Sequence, residues 1–150
     1  MKELIVSALD QGTVIDHIPS KSVWEVVKIL GLEHFDHAVF IGMNLYSEKL
    51  GNKGIIKVRN KFFKAAEINK ISLVAPQATL TIIEDYNVKS KTIVKVPDKI
   101  IGIVQCPNAK CITNHEKIET RFDVVSKKGQ LQLKCHYCEK VAEKDEIKVL

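Results

Sequence analysis

"GTVIDHIPSKSVWEVVKILG", residues 12–31, holds a strand, a turn and a helix in one unbroken run. "TVIDHI" (13–18) follows a glycine and is rich in β-branched residues, the pattern of a strand. Pro19 and Ser20 then introduce a helix. Ser22 and Glu25 stand three apart, as a capping box requires, and Val23, Val26, Val27 and Leu30 recur at helical spacing on one face. Gly31 is a natural stop.

Working outward, "LIVSAL" (4–9) reads as a further strand, split from the first by the turn-prone Asp10-Gln11-Gly12. Downstream, "HAVFIGMNL" (37–45) is a strand, "SEKLGNKG" (47–54) a turn with two glycines, and "IIKVRN" (55–60) an antiparallel return. "KAAEINKISLVAP" (64–76) begins as a helix and ends at Pro76, and "ATLTIIEDY" (78–86) and "KTIVKV" (91–96) are strands again. From residue 13 the order β-α-β-β-α-β is the split-βαβ, ferredoxin-like arrangement.

"VPDK" (96–99) marks a boundary, which divides the chain into domains 1–97 and 98–150. Helical periodicity stops there, and "IIGIVQ", "TRFDVV", "QLQLKC" and "DEIKVL" read as short strands, with "SKKGQ" (126–130) as a hairpin turn. So small a β domain cannot bury enough apolar surface to be secure alone and needs a staple. The staple is Cys106-x4-Cys111-x23-Cys135-x2-Cys138, two close cysteine pairs on either side of a β excursion. Four thiolates in this pattern suit one tetrahedral zinc ion, and because they fill its shell the metal is structural and has no position for water or substrate. His115 and His136 lie nearby as loop residues beyond the four sulfurs. The expected class is α+β, a ferredoxin-like βαββαβ domain followed by a small antiparallel-β, zinc-ribbon-like domain.

Composition narrows the function. The chain is 150 residues long, 45% hydrophobic and 27% charged. It has no secretory pattern at its start and no apolar run of bilayer-spanning length, so a cytoplasmic protein with reduced thiols and no membrane association is expected. The net charge of +5 is spread evenly, with 13 basic against 10 acidic residues in 1–97 and 10 against 8 in 98–150. Only Arg59 and Arg121 among the basic residues are arginine, and no basic stripe is studded with aromatics, so nucleic acid is not an expected partner. There is no GxxxxGK[ST] loop to cradle the phosphates of a hydrolysed nucleotide. Asp16 and His17 could be an enzyme's base and orienter, a binding pair, or polar residues at a strand end. Strand alternation, which would send them to opposite faces, argues against the dyad. The residues alone lead to an α/β domain of unknown ligand joined to a structural zinc domain.

"GTVIDHIP", "APQAT", "CPNAKCI" and "LKCHYCEK" occur in this order and at these spacings in the regulatory chain of aspartate carbamoyltransferase, which this sequence resembles nearly end to end. The resemblance implies a noncatalytic subunit of pyrimidine biosynthesis, with carbamoyl transfer performed by a partner catalytic chain. Its N-terminal domain would bind nucleoside triphosphate effectors (CTP, ATP, UTP) and form a homodimer. Its zinc domain would grip the catalytic chain, and three regulatory dimers would bridge two catalytic trimers in a dodecamer. Carried over residue by residue, the effector site comprises Val6, Ser7, Ala8 and Leu9 framing the base, Asp16 on the ribose, and His17 near the triphosphate. Lys57 would contact ribose and base and Lys91 phosphate, while Thr81, Tyr86 and Val88 complete the pocket. Ser7 and Thr81 depart from the family's acid and asparagine. Point-charge lysines and a titratable histidine suit a triphosphate. Asn108, Lys110, Ile112, Tyr137 and Glu139, between or beside the zinc ligands, are the expected contacts to the catalytic chain, Lys110 standing where relatives often carry an amide.

Overall fold

The computed structural model describes residues 8–48, 50–126 and 131–150. They fall into two compact units, divided between Lys95 and Val96.

In the first unit β1 (Gly12–Pro19) leads through a 3-10 turn into α1 (Val23–Ile29). β2 (Val39–Ser47) and β3 (Gly51–Arg59) follow as a hairpin, then α2 (Ala65–Val74), β4 (Thr79–Glu84) and β5 (Asn87–Ile93). The sheet order is β2-β3-β1-β4-β5, with every neighbouring pair antiparallel. Its first four strands are the ferredoxin-like arrangement, and β5 widens it at one edge. Both helices cover one face. Ile15 and Ile18 of β1, Ile56 and Val58 of β3 and Leu80 of β4 pack with Val23, Val26, Val27 of α1 and Ile71, Val74 of α2 in one buried cluster. Gly54 is required by that packing, because a Cβ built there would lie 2.0 Å from Val23 Cγ2. Gly54→Ala is therefore expected to push α1 off β3 and to cost about 1–3 kcal/mol, read as a fall in the thermal midpoint.

Several local expectations shift. Ser22 caps nothing with its side chain; it sits buried at the end of the 3-10 turn, and the expected Ser22–Glu25 capping box is absent. Half of such a box appears instead at α2, where the Glu67 carboxylate accepts the Lys64 backbone N–H at 3.1 Å, while the Lys64 side chain has no acceptor to complete it. The last N-terminal strand starts at Asn87, earlier than the expected 91, because Asp85 (φ 51°) and Tyr86 (φ 65°) make a two-residue turn that pairs Glu84 with Asn87. Asp85 is a residue such turns favour, but Tyr86 stands where glycine is usual, so the signal is only half present. The strand expected over 4–9 lies outside the described residues up to Ser7; Ala8 and Leu9 are not in a strand.

In the second unit β6 (Lys99–Ile101), β8 (Arg121–Ser126), β9 (Gln132–Cys135) and β10 (Val141–Glu143) form a sheet in the order β10-β9-β8-β6. β7 (Val104–Gln105) pairs separately with β11 (Lys148–Val149). "IIGIVQ" is thus two strands in two sheets, broken at Gly102 with φ 70°. "DEIKVL" contributes only β11, after a 3-10 turn at Lys144–Glu146, and β10 had no expectation attached. The "SKKGQ" turn lies outside the described residues from Lys127 onward. Phe122, Leu133, Ile100 and Val104 are fully buried in this unit, together with Cys106, Cys111 and Cys135.

Candidate functional site

The sheet of the N-terminal unit has a second face, opposite the helices. Alternation on β3 sends Gly54, Ile56 and Val58 to the core and Lys53, Ile55, Lys57 and Arg59 to this face. Register extends the pattern across the sheet. Lys57 pairs with Val14, Val14 with Thr81, and Thr81 with Lys91, so four residues of β3, β1, β4 and β5 stand in one line on the same side. Lys57 is half-buried there, and burial lowers its pKa from the usual lysine range despite the opposing pull of the Asp16 carboxylate.

Asp16 and His17 sit on the same face as that line, which overturns the expectation from strand alternation. Between Ile15 and Ile18 the β1–β3 register slips, and His17 takes a left-handed φ of 59°. This is a β-bulge, which inserts a residue and re-aims its side chain. The Asp16 carboxylate accepts the His17 backbone N–H at 2.6 Å and pairs with Lys53 Nζ at 2.9 Å. The His17 ring meets Thr79 Oγ1 through Nδ1 at 3.1 Å. The carboxylate is thus engaged by Lys53 and by a backbone amide. The bonds described for the two residues form a mixed-charge cluster without the carboxylate-to-imidazole bond of a base and its orienter.

Lys53 is the residue that sequence reading missed. Its signal was the two-residue period Lys53, Ile55, Lys57, Arg59, which places it on the same side as Lys57. Of the other expected effector residues, Leu9 is buried, Ala8 exposed, and Tyr86 and Val88 exposed on the β4–β5 hairpin beside the line. Val6 and Ser7 lie outside the described residues.

In the second unit Cys106, Cys111, Cys135 and Cys138 offer sulfurs all within 4.8 Å of one another. Cys106 and Cys138 are separated by 3.7 Å and Cys111 and Cys135 by 3.8 Å. Tetrahedral ligands bonded to zinc at ~2.3 Å stand about 3.8 Å apart, and a disulfide needs ~2.05 Å, so the cluster fits the metal. Without metal, burial pushes the Cys106 and Cys135 thiols up. Burial also opposes ionisation of Cys138, but hydrogen bonds from the Lys140 backbone and the Asn108 side chain outweigh it and hold that thiol at about 7.

The two loops that carry the ligands are tightly bonded. In the first, Asn114 Nδ2 donates to the Cys106 and Asn108 carbonyls at 3.0 and 2.8 Å, and Thr113 Oγ1 lies 3.1 Å from Cys111 Sγ. His115 Nε2 is 2.8 Å from the Ala109 carbonyl, a loop bond rather than a metal contact. In the second, Glu139 N donates to the Cys135 carbonyl at 2.9 Å with Glu139 at φ 63°, a conformation that favours glycine. Lys110, Ile112, Tyr137 and Glu139 project as exposed residues from these loops, and Asn108 is half-buried with its Oδ1 accepting the Lys110 N–H at 3.1 Å. His136 packs edge-on against Tyr137 at 5.1 Å between ring centroids.

Comparison with known proteins matches the model of the aspartate carbamoyltransferase regulatory chain, allosteric domain, over residues 4–95, and that of its metal-binding domain over residues 98–148. The chain belongs to the aspartate carbamoyltransferase regulatory chain family. Among relatives bearing that name, the protein of Bacteroides fragilis is 52% identical over 147 residues, spanning 98% of this chain and 95% of the relative. Those of Thermococcus sibiricus and Pyrococcus abyssi are 50% identical, over 98% of this chain and 97% of theirs. As a regulatory chain it is the noncatalytic member of an enzyme whose catalytic chain is its partner, and the four-cysteine cluster of its metal-binding domain holds one structural zinc. No helix among the described residues is long and apolar enough to cross a membrane.

Proposed function

We propose that the open face of the N-terminal sheet binds a nucleoside triphosphate (CTP, ATP or UTP) as an effector and that the zinc domain transmits its occupancy to catalytic trimers. The line Lys57–Val14–Thr81–Lys91, flanked by Lys53, Asp16 and His17, is the observation that supports this reading. It puts three lysines on one face as charge-assisted donors for phosphate, with a carboxylate able to accept from ribose hydroxyls. Leu9, Tyr86 and Val88 supply apolar surface for a base, and Val6, Ser7 and Ala8 complete its frame by the family pattern. None of these groups is placed as a nucleophile, in keeping with a nucleotide that signals and is not consumed. The chain would act in the cytoplasm as a homodimer through residues 1–97, with residues 98–150 turned to the catalytic chain. Three such dimers joining two catalytic trimers make the dodecamer, a closed arrangement that a two-fold bridge with two outward arms can build. Co-purification with the catalytic chain followed by nucleotide titration of carbamoyl transfer tests the whole reading. Activity that never responds to any of the three nucleotides would refute it.

The catalytic-chain contact is assigned to Asn108, Lys110, Ile112, Tyr137 and Glu139, because they project from loops that the metal and the Asn114 bonds make rigid. Rigid apolar and aromatic anchors lose little entropy on docking. Changing Asn108 and Tyr137 together to alanine should leave zinc content and dimerisation intact while weakening assembly about tenfold or more, since anchor truncations cost 2 kcal/mol or more. Sedimentation of mixtures with the catalytic chain reads the effect, and unaltered assembly would move the interface elsewhere.

A further inference from the structure

We propose that the Asp10–Arg59 ion pair is a positioning device for the effector face, holding the segment around residues 9–11 against the ends of β3 and of the β4–β5 hairpin so that the walls of the nucleotide site keep one geometry. The inference rests on the effector reading above. Arg59 Nε donates to Asp10 Oδ1 at 3.0 Å and Nη2 to Oδ2 at 2.9 Å, the fork geometry that guanidinium and carboxylate share. Nε also lies 3.3 Å from Oδ2. The same Asp10 accepts the Tyr86 N–H on its backbone carbonyl at 2.9 Å. Its neighbour Gln11 repeats the tie: its side-chain amide donates to Asn60 Oδ1, and its carbonyl accepts the Asn60 N–H at 3.1 Å.

Residues 10 and 11 therefore join three segments, and each carries part of the proposed pocket. Leu9 immediately precedes the tie, Lys57 stands two residues before Arg59 on the same face, and Val88 two residues after Tyr86. Register agrees, since Arg59, Gly12, Ile83 and Val88 form the next line across the sheet beside Lys57–Val14–Thr81–Lys91. Tyr86 is held by this bond in a left-handed turn that its side chain does not favour. The pair is solvent-exposed, with side-chain accessibilities of 48% for Arg59 and 30% for Asp10, and exposed pairs add little to global stability. What a two-pronged, directional contact does supply is orientation.

The test is calorimetric titration of the full chain with CTP and with ATP, comparing wild type, Asp10→Asn, Arg59→Gln and the charge swap Asp10→Arg/Arg59→Asp. A simple field effect on phosphate predicts opposite signs: Arg59→Gln would weaken binding and Asp10→Asn would tighten it. A positioning role predicts that both single changes weaken binding about fivefold, the scale of an exposed pair, and that the swap restores most of the loss. Thermal midpoints should stay unmoved throughout. Unchanged or tighter binding by Asp10→Asn, a swap no better than the single changes, or a fall in affinity matched by a fall in thermal midpoint would overturn the proposal. A wild-type chain without affinity for either nucleotide would instead remove the effector reading itself, and this inference with it.

Discussion

Removal of zinc is expected to unfold residues 96–150 while the N-terminal sheet survives. The C-terminal unit has only short strands, and three of its four cysteines are among its most buried groups, so metal and fold are one system. Structural zinc contributes about 10–16 kcal/mol in small cysteine-ligated domains, more than so small a core supplies. Excess chelator should abolish the β signal of this unit, detach the chain from its catalytic partner, and leave an independent N-terminal melting transition. Cys135→Ser should behave as the chelated protein does, since Cys135 is fully buried and paired with Phe122 across β8 and β9. The metal is also lost toward acid pH. Each ligand must be a thiolate, so zinc displaces protons and its affinity falls as pH falls. Burial holds the metal-free Cys106 and Cys135 thiols protonated, so each surrenders a full proton to the metal and the dependence continues above the ordinary thiol range. Retention of the C-terminal fold in zinc-free protein, followed by amide exchange, would contradict the account.

The second large effect is expected on the opposite side of the boundary. On the effector reading proposed above, each lysine of the open face is expected to contribute a charge-assisted hydrogen bond of roughly 1.5–3 kcal/mol to a bound triphosphate, about tenfold or more in affinity. Lys91→Ala should therefore weaken binding about tenfold, and Lys57→Ala with Lys91→Ala about a hundredfold, measured by calorimetry. Turnover of the assembled enzyme without effector should be unaffected, because the face performs no chemistry. Lys57 adds a pH signature. Burial lowers its pKa, so its charge disappears at lower pH than an ordinary lysine's. Binding should accordingly weaken toward alkaline pH in wild type, and that limb should be reduced in Lys57→Ala. Wild-type affinity in Lys57→Ala/Lys91→Ala would place the nucleotide somewhere else.

Much of this was legible residue by residue. β-Branched runs and the apolar spacing of Val23, Val26 and Val27 specify elements whose physics is local. The four cysteines announce their ion because ligand chemistry depends on residue type and spacing more than on packing. The misses have a common cause. The Asp85-Tyr86 turn, the Asp16-His17 bulge and the uncapped Ser22 are places where tertiary pairing imposes a backbone state that the local residues do not fully advertise.

By itself, then, the sequence determined the ferredoxin-like order of elements and the zinc ligands, each carried by a short-range period or by side-chain chemistry. Only the tertiary structure decided which side chains share a face. Lys57, Thr81 and Lys91 come from three strands, and their alignment exists only in the register of β3, β4 and β5 around β1. The bulge at His17 rotates one residue of that register and turns a strand-end pair into part of the face. Register is a property of two strands at once, and no single stretch of chain contains it.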